Sequence, residues 1–288
     1  MTRTFESQRG YFTFVQNSDT VDYLSLAYLQ ALSIKLTQRY NKYAVCVDAK
    51  TRAQLTHKHL CVFDHVLDIP GNDDAQNQSW KLANEWKAWH VTPFKETVKL
   101  DCDVLFVQNH DHWWNSFVAQ EVVVSVGARD ITGNISNSRA YRKLFDANSL
   151  PDAYSAYTYF RYSRTSADFF KIVRDVFENW ENYKDLVLRE CVDEHATTDV
   201  AYAIAAMTIG TEKTTLPTLD YPNIVHMKPK INKFPVGTSW TDNYVWSIDN
   251  TGRMIIDGRL QQYPVHLVDK NFATKELIQR YEQLLGIT

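Results

Sequence analysis

The repeated change of hydrophobic period in the first 110 residues constrains this chain more than any other feature. Tyr11–Val15 reads Tyr-Phe-Thr-Phe-Val, a β-rich run of the kind that forms a buried strand. The polar residues Gln16 to Thr20 follow, and from Asp22 the period becomes helical. Leu24, Ala27, Tyr28 and Ala31 recur at i, i+3, i+4 and i+7, with Asp19 or Asp22 placed to cap the helix. Tyr43–Val47 and Val62–Ile69 repeat the strand signature, the second closed by Pro70-Gly71, and a helix is expected from about Ser79 to His90. Glu96–Val107 reads as another strand, interrupted by two aspartates. Strand–helix–strand order requires crossover connections, so the expected class is α/β, a mostly parallel sheet with helices on its faces.

The second half is less regular. Glu121–Val126 and Ala153–Arg161 are expected strands, and Ala167–Trp180, Thr198–Thr208 and Lys275–Leu285 expected helices. Asn223–Met227 is a short apolar run, and Trp240–Val268 reads as short β segments with turns at Asn250–Gly252 and Asp257-Gly258. The expected organisation is one main domain, 1–235, with a first half of about 11–110 and a second of about 111–235. A β-rich C-terminal extension, 236–288, packs on it.

Charge and cysteine usage narrow the function. With 31 basic and 34 acidic residues, bulk positive charge cannot hold the chain on nucleic acid, although local basic patches can. Cys46, Cys61, Cys102 and Cys191 show no C-x-x-C spacing, which excludes a cysteine zinc site and suits a reducing compartment. The N-terminus lacks an apolar signal region, and no run approaches the about 18 apolar residues of a spanning helix. A soluble, cytoplasmic protein without a membrane partner is expected.

Asp101-Cys102-Asp103 is the single D-x-D of the chain, and it lies inside the otherwise apolar run Val98–Val107. A carboxylate there is costly to bury unless a cation or donor meets it. On a strand, residues two apart point the same way, and two carboxylates on one face can hold Mg²⁺ or Mn²⁺. The segment Trp80–Phe94 precedes the pair, and the loop Gln16–Asp22 follows the first strand, where open α/β sheets bind ligands. Far downstream, Ile224–Pro229 puts His226 at the end of a short strand.

Together these segments resemble glycosyltransferases of the GT-A fold, similar to the glycogenin-like families and to bacteriophage-encoded, DNA-modifying glycosyltransferases. The matching stretches are Tyr23–Lys35, the "T-P-F-x-x-T-x-x-L-D-x-D" of Thr92–Asp103, and the "V-H-x-x-x-K" of Val225–Lys230. The family's "H-x-x-G-x-x-K-P-W" lacks its glycine and tryptophan here. The resemblance implies a nucleotide-sugar donor, UDP-linked by preference, and a divalent metal, with 11–110 the donor-binding half and 111–235 the acceptor half. It implies Asp101 and Asp103 with His226 as metal ligands, and Asp101 near the ribose. Lys228 and Lys230 would meet the diphosphate, Gln16, Asn17, Asp22 and Tyr23 would line the base and ribose pocket, and Lys81 would reach the donor. Asp199 and Glu194 are the candidate catalytic carboxylates, and retaining chemistry is the expectation. His57-Lys58-His59 and His110-Asp111-His112 are alternative metal clusters, both expected to be surface loops.

The implied acceptor is a hydroxyl, with 5-hydroxymethylcytosine in phage DNA one candidate and a saccharide or protein another. Arg129, Asn134, Asn137, Arg139, Arg142 and Lys143, with Lys228, Lys230, Asn232 and Lys233, would face phosphates. Tyr141, Tyr154, Tyr157 and Trp240 would stack on a base. Two further readings remain: a sugar nucleotidyltransferase, disfavoured because Gln16–Asp22 has no glycine, and a non-catalytic carbohydrate-binding protein.

Overall fold

The computed structural model describes residues 4–76, 81–136, 139–216 and 222–287. Its strands are β1 (Ser7–Val15), β2 (Tyr43–Val47), β3 (His65–Asp68), β4 (Phe94–Leu100), β5 (Val104–Leu105), β6 (Val122–Val126), β7 (Ala153–Arg161), β8 (Val225–His226), β9 (Trp246–Ile248), β10 (Met254–Ile256), β11 (Arg259–Leu260) and β12 (Val265–His266). The longer helices are α1 (Tyr23–Thr37), α2 (Arg164–Glu178), α3 (Thr198–Ile209) and α4 (Lys275–Leu285). The main sheet runs β3-β2-β1-β4-β7-β6, parallel from β3 to β4 and antiparallel across β7 and β6. The expected mixed α/β class and mostly parallel sheet are therefore present.

Side chains alternate across this sheet and sort the core into two layers. Tyr11, Val15, Val98 and Leu100 face α1 and α4, while Phe12, Phe14, Ala44 and Cys46 face α2 and α3. Each fully buried Leu or Phe contributes about 1.5–3 kcal/mol, so both layers are large enough to fix the register. Asp22 caps α1 by accepting from the Ser25 amide at 3.0 Å.

The C-terminal segment enters the fold in three places. β12 inserts between β5, antiparallel, and β8, parallel. β9, β10 and β11 form a small antiparallel sheet. α4 lies on α1, where the Tyr28 hydroxyl donates to Glu282 at 3.0 Å. Gly252, at φ +81°, passes so close to Leu36 that a Cβ has no room.

Some elements differ from the expected ones. The third strand starts only at His65, because Thr56 opens a short capped helix over His57–Val62. The helix expected from Ser79 is a short 3₁₀ turn, Glu85–Lys87, followed by the single helical turn Ala88–Val91, and residues 79 and 80 lie outside the described residues. The strand expected across Glu96–Val107 stops at Leu100. Its last rung is the Asp101 amide donating to Ala156 O at 3.1 Å, after which the chain turns and leaves for the β5 sheet.

Candidate functional site

The two aspartates are presented by a turn, not along a strand. The Val104 amide donates back to Asp101 O at 3.2 Å and closes it. Gln30, buried in α1, clamps the turn by donating to the carbonyls of Asp101 (2.7 Å) and Val104 (2.8 Å), while Tyr43 donates to its Oε1 at 2.6 Å. On the other side, the Leu267 amide donates to Asp103 O at 2.9 Å. The turn thus converges its carboxylates at the C-terminal edge of the parallel strands. There they line a cleft of about 580 Å³.

Asp101, Asp103 and His266 form a group of potential metal ligands whose donor atoms all lie within 4.8 Å of one another. His266 Nε2 is 3.2 Å from Asp103 Oδ1 and 3.9 Å from Asp101 Oδ2. Lys270 Nζ is 2.6 Å from Asp103 Oδ2. Burial alone would push the Asp103 carboxyl up; His266 and Lys270 outweigh it and hold the group far below the usual carboxylate range. Asp101 faces Lys99 Nζ at 3.2 Å, and the fully buried Lys99 is itself paired with buried Glu85.

His226, the histidine that the resemblance implied as third ligand, is not in that group. It sits on β8, in register with His266 of β12, and the two rings stack at 4.6 Å. His226 therefore backs His266. Burial, then the neighbouring His266, holds it well below its ordinary range and keeps it neutral. The Nδ1 atoms of both rings are buried without a hydrogen-bond partner.

The remaining expected residues separate into groups. Gln16, Tyr23, Lys81, Lys228 and Asp199 line the cleft. Gln16 donates to Asp73 at 3.0 Å, and Lys81 donates to Ala75 O at 2.8 Å. Asn17 and Asp22 work inside the loop: Asn17 Oδ1 accepts from the Leu24 amide at 2.9 Å, and its amide group donates to Asp22 at 3.2 Å. Asn17 borders a second depression, of about 840 Å³, beyond the ends of β2 and β3. Lys230 is exposed outside the cleft, one residue into a short helical turn that starts at Pro229. Glu194 lines a third depression with Trp86 and Trp180, because the 193–197 segment turns it away from the metal-ligand group.

Asp199 is held rather than free. Arg142 Nη2 lies 3.1 Å from Oδ2, and Oδ1 accepts from the Ser155 amide and hydroxyl, both at 2.8 Å. Burial opposes its charge, and Arg142 and Ser155 outweigh burial, so its carboxyl lies below the usual range. Thr197, not Asp199, caps α3. Lys228 rests over the Tyr141 ring at 4.9 Å, and burial holds its ammonium below the ordinary lysine range.

No family model matches this sequence, and no curated protein does. Among solved structures, apo mouse xyloside xylosyltransferase 1 is similar over 73% of this chain and 85% of its own, at 9% identity and a TM-score of 0.49. The glycosyltransferase GlyE of Streptococcus pneumoniae TIGR4 is similar over 73% of this chain and 45% of its own, at 11% identity and a TM-score of 0.45. This chain thus spans less than half the length of GlyE. At these scores the likeness assigns neither activity nor substrate.

Several cleft residues escaped the sequence reading: His266, Lys270, Glu85 and, behind them, Lys99 and Gln30; Arg142, expected among the phosphate-facing residues, instead pairs with Asp199. A signal for His266 did exist. Val265-His266 repeats the dipeptide Val225-His226, and a lysine follows each, at 228 and 270. The alternative histidine clusters also differ from surface loops. His57 and His59 lie on a short helix, and His110 is buried against Trp113, ring centroids 4.2 Å apart. The basic stretch is largely paired internally. Arg139 reaches Asp146 and Asp152, and Arg142 is buried against Asp152 and Asp199. Asn232 is buried, and Asn137 lies outside the described residues. Tyr157 and Trp240 are core residues and cannot stack on a base, whereas Tyr141 and Tyr154 line the cleft with their hydroxyls 2.6 Å apart. Among the described residues, no helix is long and apolar enough to cross a membrane.

Proposed function

We propose that this protein is a metal-dependent glycosyltransferase of the GT-A type, moving a sugar from a nucleotide-sugar donor, UDP-linked by preference, to a hydroxyl acceptor. The reading is carried by the convergence of Asp101, Asp103 and His266 on one cleft at the C-terminal edge of the parallel strands. The donor set suits Mn²⁺ or Mg²⁺: two carboxylates supply hard oxygens, an imidazole adds a nitrogen, and positions remain for phosphate oxygens. Neither Nδ1 atom has a hydrogen-bond partner, and Nε2 of His266 is the ring atom that faces the two carboxylates. When bound, the ion would neutralise charge on the departing nucleoside diphosphate.

The chain's own groups complete the chemistry. Lys270 and Lys228 offer cations toward the diphosphate and developing charge. Tyr23, half-buried with Lys270 5.6 Å from its ring centroid, walls the donor side with Gln16 and Lys81. Asp199 stays ionised and fixed in direction by Arg142 and Ser155. A carboxylate with a lowered pKa is a poor proton acceptor, so Asp199 serves to orient substrate hydroxyls and to balance positive charge at the anomeric carbon. Retention of configuration accords with that role. Glu194, turned away from the metal-ligand group, has no part in this scheme.

The internal pairing of Arg139 and Arg142 removes two cations from a DNA-facing patch, leaving Arg129, Lys143, Lys228, Lys230 and Lys233. A saccharide or protein hydroxyl is therefore favoured over 5-hydroxymethylcytosine. The test is a panel of UDP-, GDP- and CMP-sugars with Mn²⁺, followed by labelled transfer to oligosaccharides and to hydroxymethylated DNA. Hydrolysis of one donor class, abolished reversibly by EDTA, is expected. Pyrophosphate-dependent turnover would point to a nucleotidyltransferase, and sugar binding without turnover to a carbohydrate-binding protein.

A further inference from the structure

We infer that Lys270 is a tethered counter-ion that must leave Asp103 before a divalent ion is fully bound there, and that a donor diphosphate is what draws it away. The inference rests on the metal reading of Asp101, Asp103 and His266 and concerns how that site fills.

Both oxygens of buried Asp103 are occupied, Oδ2 by Lys270 at 2.6 Å and Oδ1 by His266 at 3.2 Å. A divalent ion at this carboxylate would sit within a few ångströms of the ammonium, in a place that water screens poorly. Asp101 cannot take the whole load, because Lys99 already faces it at 3.2 Å. Lys99 is enclosed and cannot move aside. Lys270 can: its side chain is 36% exposed and stands on a loop.

That loop is anchored on both sides of an unusual residue. The Leu267 amide binds Asp103 O, and the Asp269 carboxylate accepts from Ser239 and the Asn271 amide. Between them Val268, β-branched and lining the cleft, has φ +63°, a conformation that such residues rarely adopt and that concentrates at functional sites. Once displaced, the ammonium needs a new anion. Of the cleft's other acids, Glu85 and Asp199 are already paired with Lys99 and Arg142, and Asp193 is exposed, where water screens its charge. The diphosphate supplies the missing partner, so metal and nucleotide binding become coupled through one side chain, and coupling is reciprocal.

The test is calorimetric titration of Mn²⁺ into wild type, Lys270→Met and Lys270→Arg, first without nucleotide and then with UDP. Without nucleotide, Lys270→Met should bind Mn²⁺ roughly tenfold more tightly than wild type, within the usual range of ligand coupling, and Lys270→Arg should stay near wild type. UDP should bind Lys270→Met more weakly than wild type. If wild type binds Mn²⁺ and Lys270→Met binds it no more tightly, the counter-ion role is overturned and the metal reading stands. If none of the three binds Mn²⁺ with or without UDP, both are overturned.

Discussion

Residues 11–110 and residues 236–288 both build the cleft, but they differ in how far each group travels to reach it. In the first region Asp101 and Asp103 lie one turn beyond β4, and the Gln30 clamp comes from the first helix of the same sheet. In the second, His266 and Lys270 arrive on a two-residue strand and its following loop, and Lys270 meets a carboxylate 167 positions away in sequence. The acidic half of the site is local, and the basic half is imported. A local device leaves a spacing motif in the sequence. An imported one leaves only a histidine and a lysine in a stretch of short β segments.

The sharpest way to break this comparison is through the local half. Asp103→Ala should lower transfer about a thousandfold or more, as loss of several kcal/mol of metal assistance implies, with the same loss in EDTA. Transfer at the wild-type rate in EDTA would remove the metal from the scheme. Next comes the support behind Asp101. Lys99→Met leaves buried Glu85 without its partner and should cost about 3–5 kcal/mol in urea unfolding. The double variant Lys99→Met/Glu85→Gln should recover part of that loss.

The imported half is sharpened by comparing two histidines. His266→Ala should weaken Mn²⁺ affinity by about a hundredfold, and His226→Ala by about tenfold, the scale of a residue that backs a ligand. Equal effects, or the reverse order in a Mn²⁺ titration, would return the ligand role to His226. Away from the cleft, the expected effect is a pH dependence. Buried His110 is held at about 3, by burial first and then by His112, against 6.5 when unfolded. Between these values the unfolded chain binds the extra proton, so stability falls as pH drops through 6.5, by about 2 kcal/mol at pH 5. Melting curves of His110→Phe should show a flatter acid limb than wild type. An unchanged slope would assign the acid sensitivity to other groups.

Local pattern determined a good deal of this protein. β1, β2, β7, α1, α3 and α4 follow from runs and periods that each element carries within itself, and the parallel order follows from their alternation. The D-x-D pair is also legible, because two charges in an apolar run demand a cation wherever they fold. Tertiary structure alone decided that β4 stops at Leu100, since the turn depends on Gln30 and Leu267 as partners. It alone chose His266 over His226, because both follow a valine on a short strand, and only the insertion of β12 between β5 and β8 says which ring meets the carboxylates. It turned Glu194 away, tied Asp199 to Arg142, and enclosed Lys99 against Glu85. Ion pairs act across space at a few ångströms and leave no period along the chain, so only the assembled sheet could reveal which charges face one another.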